Sequence, residues 1–97
     1  MTNRLIVHAR ITPRKKHLDD ARAAIQDIIE ETRAEEGCLT FNLAEQEDAG
    51  VLHLYEEWAD VSALERHHSQ PYTKAVFRAY ENWLSEEPEI LHLKPVA

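Results

Sequence analysis

Between Arg4 and Val96 the spacing of apolar residues switches from a period of two to a period of about 3.6 and back, an order few folds accept. In residues 4–12 (RLIVHARIT), Leu5, Val7, Ala9 and Ile11 alternate with Ile6, His8 and Arg10, as in a half-buried strand that Pro13 ends. From His17 to Glu36, Leu18, Ala21, Ile25, Ile28 and Ile29 recur at spacings of three and four. That is one stripe of an amphipathic helix, and Gly37 is placed to stop it. A second strand over residues 38–45 sets Leu39, Phe41 and Leu43 on one face; residues 46–50 read as a hairpin loop and residues 51–58 as the returning strand. Asp60 or Ser62 caps a short helical turn over residues 63–68, and Pro71 opens a longer helix to about Leu84. Its stripe is Val76, Phe77, Tyr80, Trp83 and Leu84. Pro88 closes this region, and residues 89–96 form a last strand with Leu91 and Leu93 in phase.

The order βαββαβ predicts a ferredoxin-like α+β fold, in which right-handed crossovers lay both helices on one face of an antiparallel sheet. The helix-covered face then reads as Val7, Ala9, Leu39, Phe41, Leu52, Leu54, Leu91 and Leu93. The other face carries Ile6, His8, Thr40, Asn42, Val51, His53, Tyr55, Ile90 and His92, too apolar a set for a solvated sheet in a small monomer. A second copy of the chain is expected to cover it, giving a homodimer of the dimeric α/β barrel kind. His8, His53 and His92 fall together on that face; a hydrogen-bonded interface accounts for them, and a three-imidazole zinc site is the alternative.

With 97 residues the chain is expected to be a single domain, 1–97. Eighteen acidic against eleven basic residues leave a net charge of −7, which disfavours nucleic acid and anionic membranes as partners. The one basic cluster, Arg14, Lys15, Lys16 and His17, reads as a solvated turn. Cys38 is the lone cysteine, so no internal disulfide forms. The first apolar run is too short for a signal-peptide core and no stretch reaches a membrane span, so a cytoplasmic location is expected.

Three runs carry a family resemblance: EEGCLTFNL at 35–43, LYEEWAD at 54–60 and ALERHHSQPYTKAV at 63–76. With the spacing from Gly37 through Trp58 and His67 to Pro71, they resemble the antibiotic biosynthesis monooxygenase domain family over nearly the whole chain. The resemblance implies a dimer with one substrate pocket per subunit, between sheet and helices. The family is similar across cofactor-free quinol and polyketide monooxygenases, haem-degrading enzymes and a sugar-phosphate isomerase. Trp58 matches the pocket tryptophan of the polyketide enzymes, and its phase with Leu52, Leu54 and Glu56 sends it to the covered face. Those enzymes have an asparagine where this chain has Leu54 and a tyrosine where it has Leu64, so their polar constellation is missing. The haem branch's asparagine falls at Ala9 and its ligating histidine at about Phe77, and a phenyl ring cannot hold iron. His67, followed by Pro71 and Tyr72, resembles the quinol monooxygenase and isomerase branches.

The leading expectation is therefore a cofactor-independent monooxygenase that oxidises a quinol or similar small aromatic with dioxygen and needs no metal. Such chemistry needs a base, a donor for the oxyanion and a dry pocket. His67 is the expected base and Tyr72 the donor. Glu56 either pairs with a helix cation or serves as an acid–base group at the pocket mouth. Trp58, Phe41, Phe77 and Trp83, with Leu54 beside them, are expected to form the walls. The plainer roles are a capping histidine and ordinary core aromatics. An isomerase of a small sugar phosphate is the second reading and would need Arg33, Arg66 or Lys74 in the pocket. A non-catalytic dimeric binding protein is the third.

Overall fold

The computed structural model describes residues 4–97. Strand β1 (Leu5–Ile11) runs through a 3-10 turn (Lys15–His17) into helices α1 (Leu18–Gln26) and α2 (Ile29–Arg33). Strands β2 (Cys38–Gln46) and β3 (Val51–Trp58) form a hairpin; α3 (Val61–Ser69) and α4 (Pro71–Trp83) precede β4 (Glu89–Leu93). The strands make one antiparallel sheet in the order β2-β3-β1-β4, the ferredoxin-like α+β arrangement.

Pairing of β1 with β3 sets Leu5 opposite Trp58, Val7 opposite Glu56, Ala9 opposite Leu54 and Ile11 opposite Leu52. Because side chains alternate along a strand, all of these face the helices. Val7, Ala9, Ile11, Leu52, Leu54 and Trp58 are buried there with Phe41 of β2, against Ala21 and Ile25 of α1 and Val76 and Tyr80 of α4. The Tyr80 hydroxyl donates to the Ala21 carbonyl at 2.8 Å and pins α4 to α1. Asp60, not Ser62, caps α3: its carboxylate accepts from the Ala63 N–H at 2.8 Å.

Three expectations are corrected. The helix read as continuous from His17 to Glu36 divides at Asp27 and Ile28, where the Ile28 N–H bonds three residues back to Ile25 at 3.1 Å. This local tightening leaves both Ile25 and Ile28 in the core. Leu39 leaves the covered face because β2 is bulged between Cys38 and Thr40; Cys38 packs on the core in its place and Leu39 is 55% exposed. In β4 the faces are exchanged: Val7 pairs with His92 and Ala9 with Ile90, so Ile90 and His92 face the helices while Leu91 and Leu93 face outward. The leucine phase misleads because the space above β4 is a cavity and not packed core, so apolar residues on either face satisfy the strand.

Gly37 stands where the chain turns from α2 into β2, at φ +89°, and a Cβ there would lie 2.6 Å from the Cβ of Ala63. Its carbonyl accepts from the Ala59 N–H at 2.8 Å, so the backbone has no room to withdraw. Gly50, at φ +64° in the hairpin, has open space, its nearest neighbour 3.9 Å away. Gly37→Ala is expected to cost about 2–4 kcal/mol from strain plus overpacking, and Gly50→Ala about 1 kcal/mol. Urea unfolding of the two variants checks this; equal losses would mean that the contact with Ala63 carries no weight.

Candidate active site

Helix α4 does not press flat on the β1–β4 half of the sheet, and a cavity of about 610 Å³ opens between them. Its floor is Val7 and Ala9 of β1 with Leu54 of β3, its roof Val76 and Tyr80 of α4, and Phe77 stands at its edge. The size and the mostly apolar wall suit a small organic ligand.

One buried carboxylate interrupts that wall. Glu56 lines the cavity and is only 6% exposed, and its Oε1 accepts from the Trp58 Nε1–H at 2.9 Å. Burial raises the Glu56 pKa above the usual carboxylate range; the Trp58 hydrogen bond and the imidazoles of His67 and His92 oppose the rise. His68 and His92 complete the polar part of the wall. Burial, followed by the neighbouring His67 and His92, lowers the His68 pKa, which keeps its imidazole neutral.

The residues expected from sequence divide into two groups. Leu54, Glu56 and Phe77 line the cavity. His67, Tyr72, Trp58, Phe41 and Trp83 do not. Trp58 is fully buried, its ring 4.8 Å from that of His67, and Phe41 meets the same imidazole edge-on at 5.7 Å. Behind the indole, His67 Nδ1–H donates to Glu35 Oε2 at 2.8 Å and the Tyr72 hydroxyl donates to the same oxygen. Trp83 lies apart, stacked on His17 at 5.8 Å. Burial and the Glu35 bond raise the Tyr72 pKa, so the phenol stays protonated.

His68 and His92 were not among the expected site residues. His68 follows Leu64 by four residues, and the burial of Leu64 carries His68 to the cavity side of α3. His92 is placed by its pairing with Val7. The expected trio of His8, His53 and His92 on the outer face is therefore broken. His8 and His53 do meet there, Nε2 to Nδ1 at 3.0 Å, and His53 Nε2–H donates to Gln46 Oε1 at 3.1 Å. Among the described residues no three His, Cys, Asp or Glu side chains converge on a metal-binding position.

None of the cations named for a phosphate lines the cavity. Arg33 is held on β2, donating through Nε to the Phe41 carbonyl at 3.1 Å and through Nη2 to Asn42 Oδ1 at 3.0 Å. The Cys38 thiol is pushed up to about 11, first by burial and then by Glu35 and Glu56, which leaves little thiolate. No helix among the described residues is long and apolar enough to cross a membrane.

Comparison with known proteins adds an independent line. Residues 4–79 match the family model described as antibiotic biosynthesis monooxygenase. The chain is 35% identical over 97 residues to a Mycobacterium tuberculosis protein named "Putative monooxygenase Rv0793", covering 100% of this chain and 88% of that one. The solved structure of Rv0793 superposes with a TM-score of 0.92 at 30% identity, over 97% of this chain and 96% of that one. The structure of PA3566 from Pseudomonas aeruginosa superposes equally well, TM-score 0.92 at 28% identity, over 100% and 98% of the two chains.

The strain at Glu56 has a thermodynamic signature. Its folded-state pKa is raised, so folding favours the protonated acid, and the stability that this supplies is lost as pH climbs from the unfolded-state pKa through the folded one. Glu56→Gln keeps an oxygen to accept from Trp58 and removes the ionisation. The variant is expected to match the native protein at acid pH and to exceed it by about 1 kcal/mol in mildly alkaline buffer, a common gain when a functional-site conflict is relieved. Thermal melts at the two pH values test this, and a gap independent of pH refutes it.

Proposed function

Because the chain belongs to the antibiotic biosynthesis monooxygenase family, we propose that it is a monooxygenase whose substrate, a quinol or similar small aromatic, supplies the electrons to dioxygen itself. The observation that carries this reading is Glu56, a buried carboxylate with a raised pKa on the wall of an apolar cavity. A base with a raised pKa is a better match for a phenolic proton than an ordinary carboxylate. Glu56 accepts the proton from the substrate hydroxyl. The resulting anion passes one electron to dioxygen, and the aryloxyl radical and superoxide combine to form a C–O bond. Loss of water from the peroxide then leaves one oxygen atom in the oxidised product. Neutral His68 offers an N–H donor to the oxyanion with His92 beside it on the wall, and the apolar walls keep water away from the radical pair.

His67 acts as a positioning residue in this scheme. It packs on the indole whose N–H holds Glu56, and its proximity lowers the Glu56 pKa. Glu35, itself held by the Tyr72 hydroxyl, fixes its ring. The cavity does not suit the sugar phosphate of an isomerase, since a phosphate would find no Arg or Lys on its wall. The outer sheet face, where Tyr55, Leu91 and Leu93 are exposed together, is the surface for a second copy of the chain.

Oxygen uptake with a panel of quinols tests the activity. Glu56→Gln is expected to lose about a hundredfold or more in rate, and an unchanged rate removes Glu56 from the chemistry. His67→Ala is expected to retain more activity but to move the acid limb of the pH–rate profile to higher pH, because a group that lowers the Glu56 pKa is gone. Uptake with no quinol at all sinks the reading. Tyr55→Asp, placed on the outer face, is expected to convert the dimer to monomer in sedimentation analysis; an unaltered dimer locates the interface elsewhere.

A further inference from the structure

The cavity is charged on one side only. Glu56 lies inside it, and Glu81, Glu86 and Glu87 extend its wall at the α4–β4 end, with no Arg or Lys on the lining. Arg10 stands 3.6 Å from Glu86 and offsets that carboxylate; Glu81 and Glu87 have no ion-pair partner among the described residues. All three are exposed, so they mark the mouth. Deeper in, Glu56 bonds through Oε1 to Trp58, and its other oxygen has no protein partner among the described residues although the side chain is buried.

We propose that this cavity discriminates by charge, taking an aromatic ligand that carries an amine and rejecting one that carries a carboxylate or phosphate. The inference rests on the same cavity being the substrate site. A protonated amine at the mouth meets Glu81 and Glu87, while the ring lies against Val76 and Leu54. Apolar walls concentrate the field of these carboxylates within the opening, where solvent screening is weaker than on an open surface. An anionic ligand meets the reverse. It loses hydration on entry, finds no Arg or Lys on the lining to replace it and passes Glu81 and Glu87 with like charge. The overall charge of −7 works in the same direction at longer range.

Calorimetric titration of the full chain with three ligands sharing one naphthalene ring tests this: naphthylmethylamine, naphthylmethanol and naphthoate, at neutral pH. The amine is expected to bind at least about tenfold more tightly than naphthoate at low salt, with the alcohol between them, and the gap is expected to narrow as salt screens the mouth. The Glu81→Gln/Glu87→Gln double variant is expected to shrink the ratio of amine to naphthoate affinity severalfold. Naphthoate binding as tightly as the amine overturns the proposal, as does a gap unmoved by both salt and the double variant, or no binding by any of the three. Turnover is not read, so a protein that binds the amine and consumes no oxygen keeps this inference and loses the proposed activity.

Discussion

The antiparallel pairing of β1 with β3 decides where everything else goes. With Val7 opposite Glu56 and Leu5 opposite Trp58, a slip of one residue would send Trp58 and Glu56 outward and bring Tyr55 and Glu57 beneath the helices. The burial of Val7, Ala9, Ile11, Leu52 and Leu54 on one face excludes that slip, since it would expose the whole apolar set. A second pairing, of β4 with the other edge of β1, puts His92 beside Val7 and so into the cavity. The two pairings of β1 therefore fix the core and the polar wall between them.

Placing Glu56 in that register opposes stability. A carboxylate that is 6% exposed loses most of its hydration, and a single hydrogen bond from Trp58 returns only part of it. Leucine at this position would continue the row from Leu52 and Leu54 without penalty. The cavity makes the arrangement tolerable, because an oxygen that opens onto a space large enough for a ligand is not sealed in protein. The polar wall of the cavity and the destabilisation thus share one cause, the buried carboxylate of Glu56.

The sequence carried the sheet and its helices well because the strong signals are local. Alternation in β1 and β3, the Asp60 cap and Pro71 at the start of α4 each follow from neighbouring residues. What it did not carry depends on partners far along the chain. Leu39 sits in an alternating run, and only the bulge against β3 turns it away from the core. The apolar residues Ile90, Leu91 and Leu93 leave the phase of β4 undetermined until its pairing with β1 is known. Phe77 belongs to the apolar stripe of α4 by spacing, yet it is 50% exposed because the cavity lies under that flank of the helix. A void has no residue of its own, so periodicity, which counts side chains, gives no sign of one.

The candidate site divides at Trp58 for a related reason. The indole is fully buried and carries one polar atom, which it directs at Glu56. On one side lies a closed set in which a single Glu35 oxygen accepts from both His67 and Tyr72. On the other side lies an open set, Glu56, His68 and His92, facing the cavity. The buried indole fills the space between the two, so the His67 imidazole is felt by Glu56 with weak screening. The closed set thereby lowers the Glu56 pKa without reaching the cavity. Spacing along the helix marked the histidine behind the indole, and the one residue that follows it occupies the cavity wall, because one step along a helix turns a side chain by about 100°.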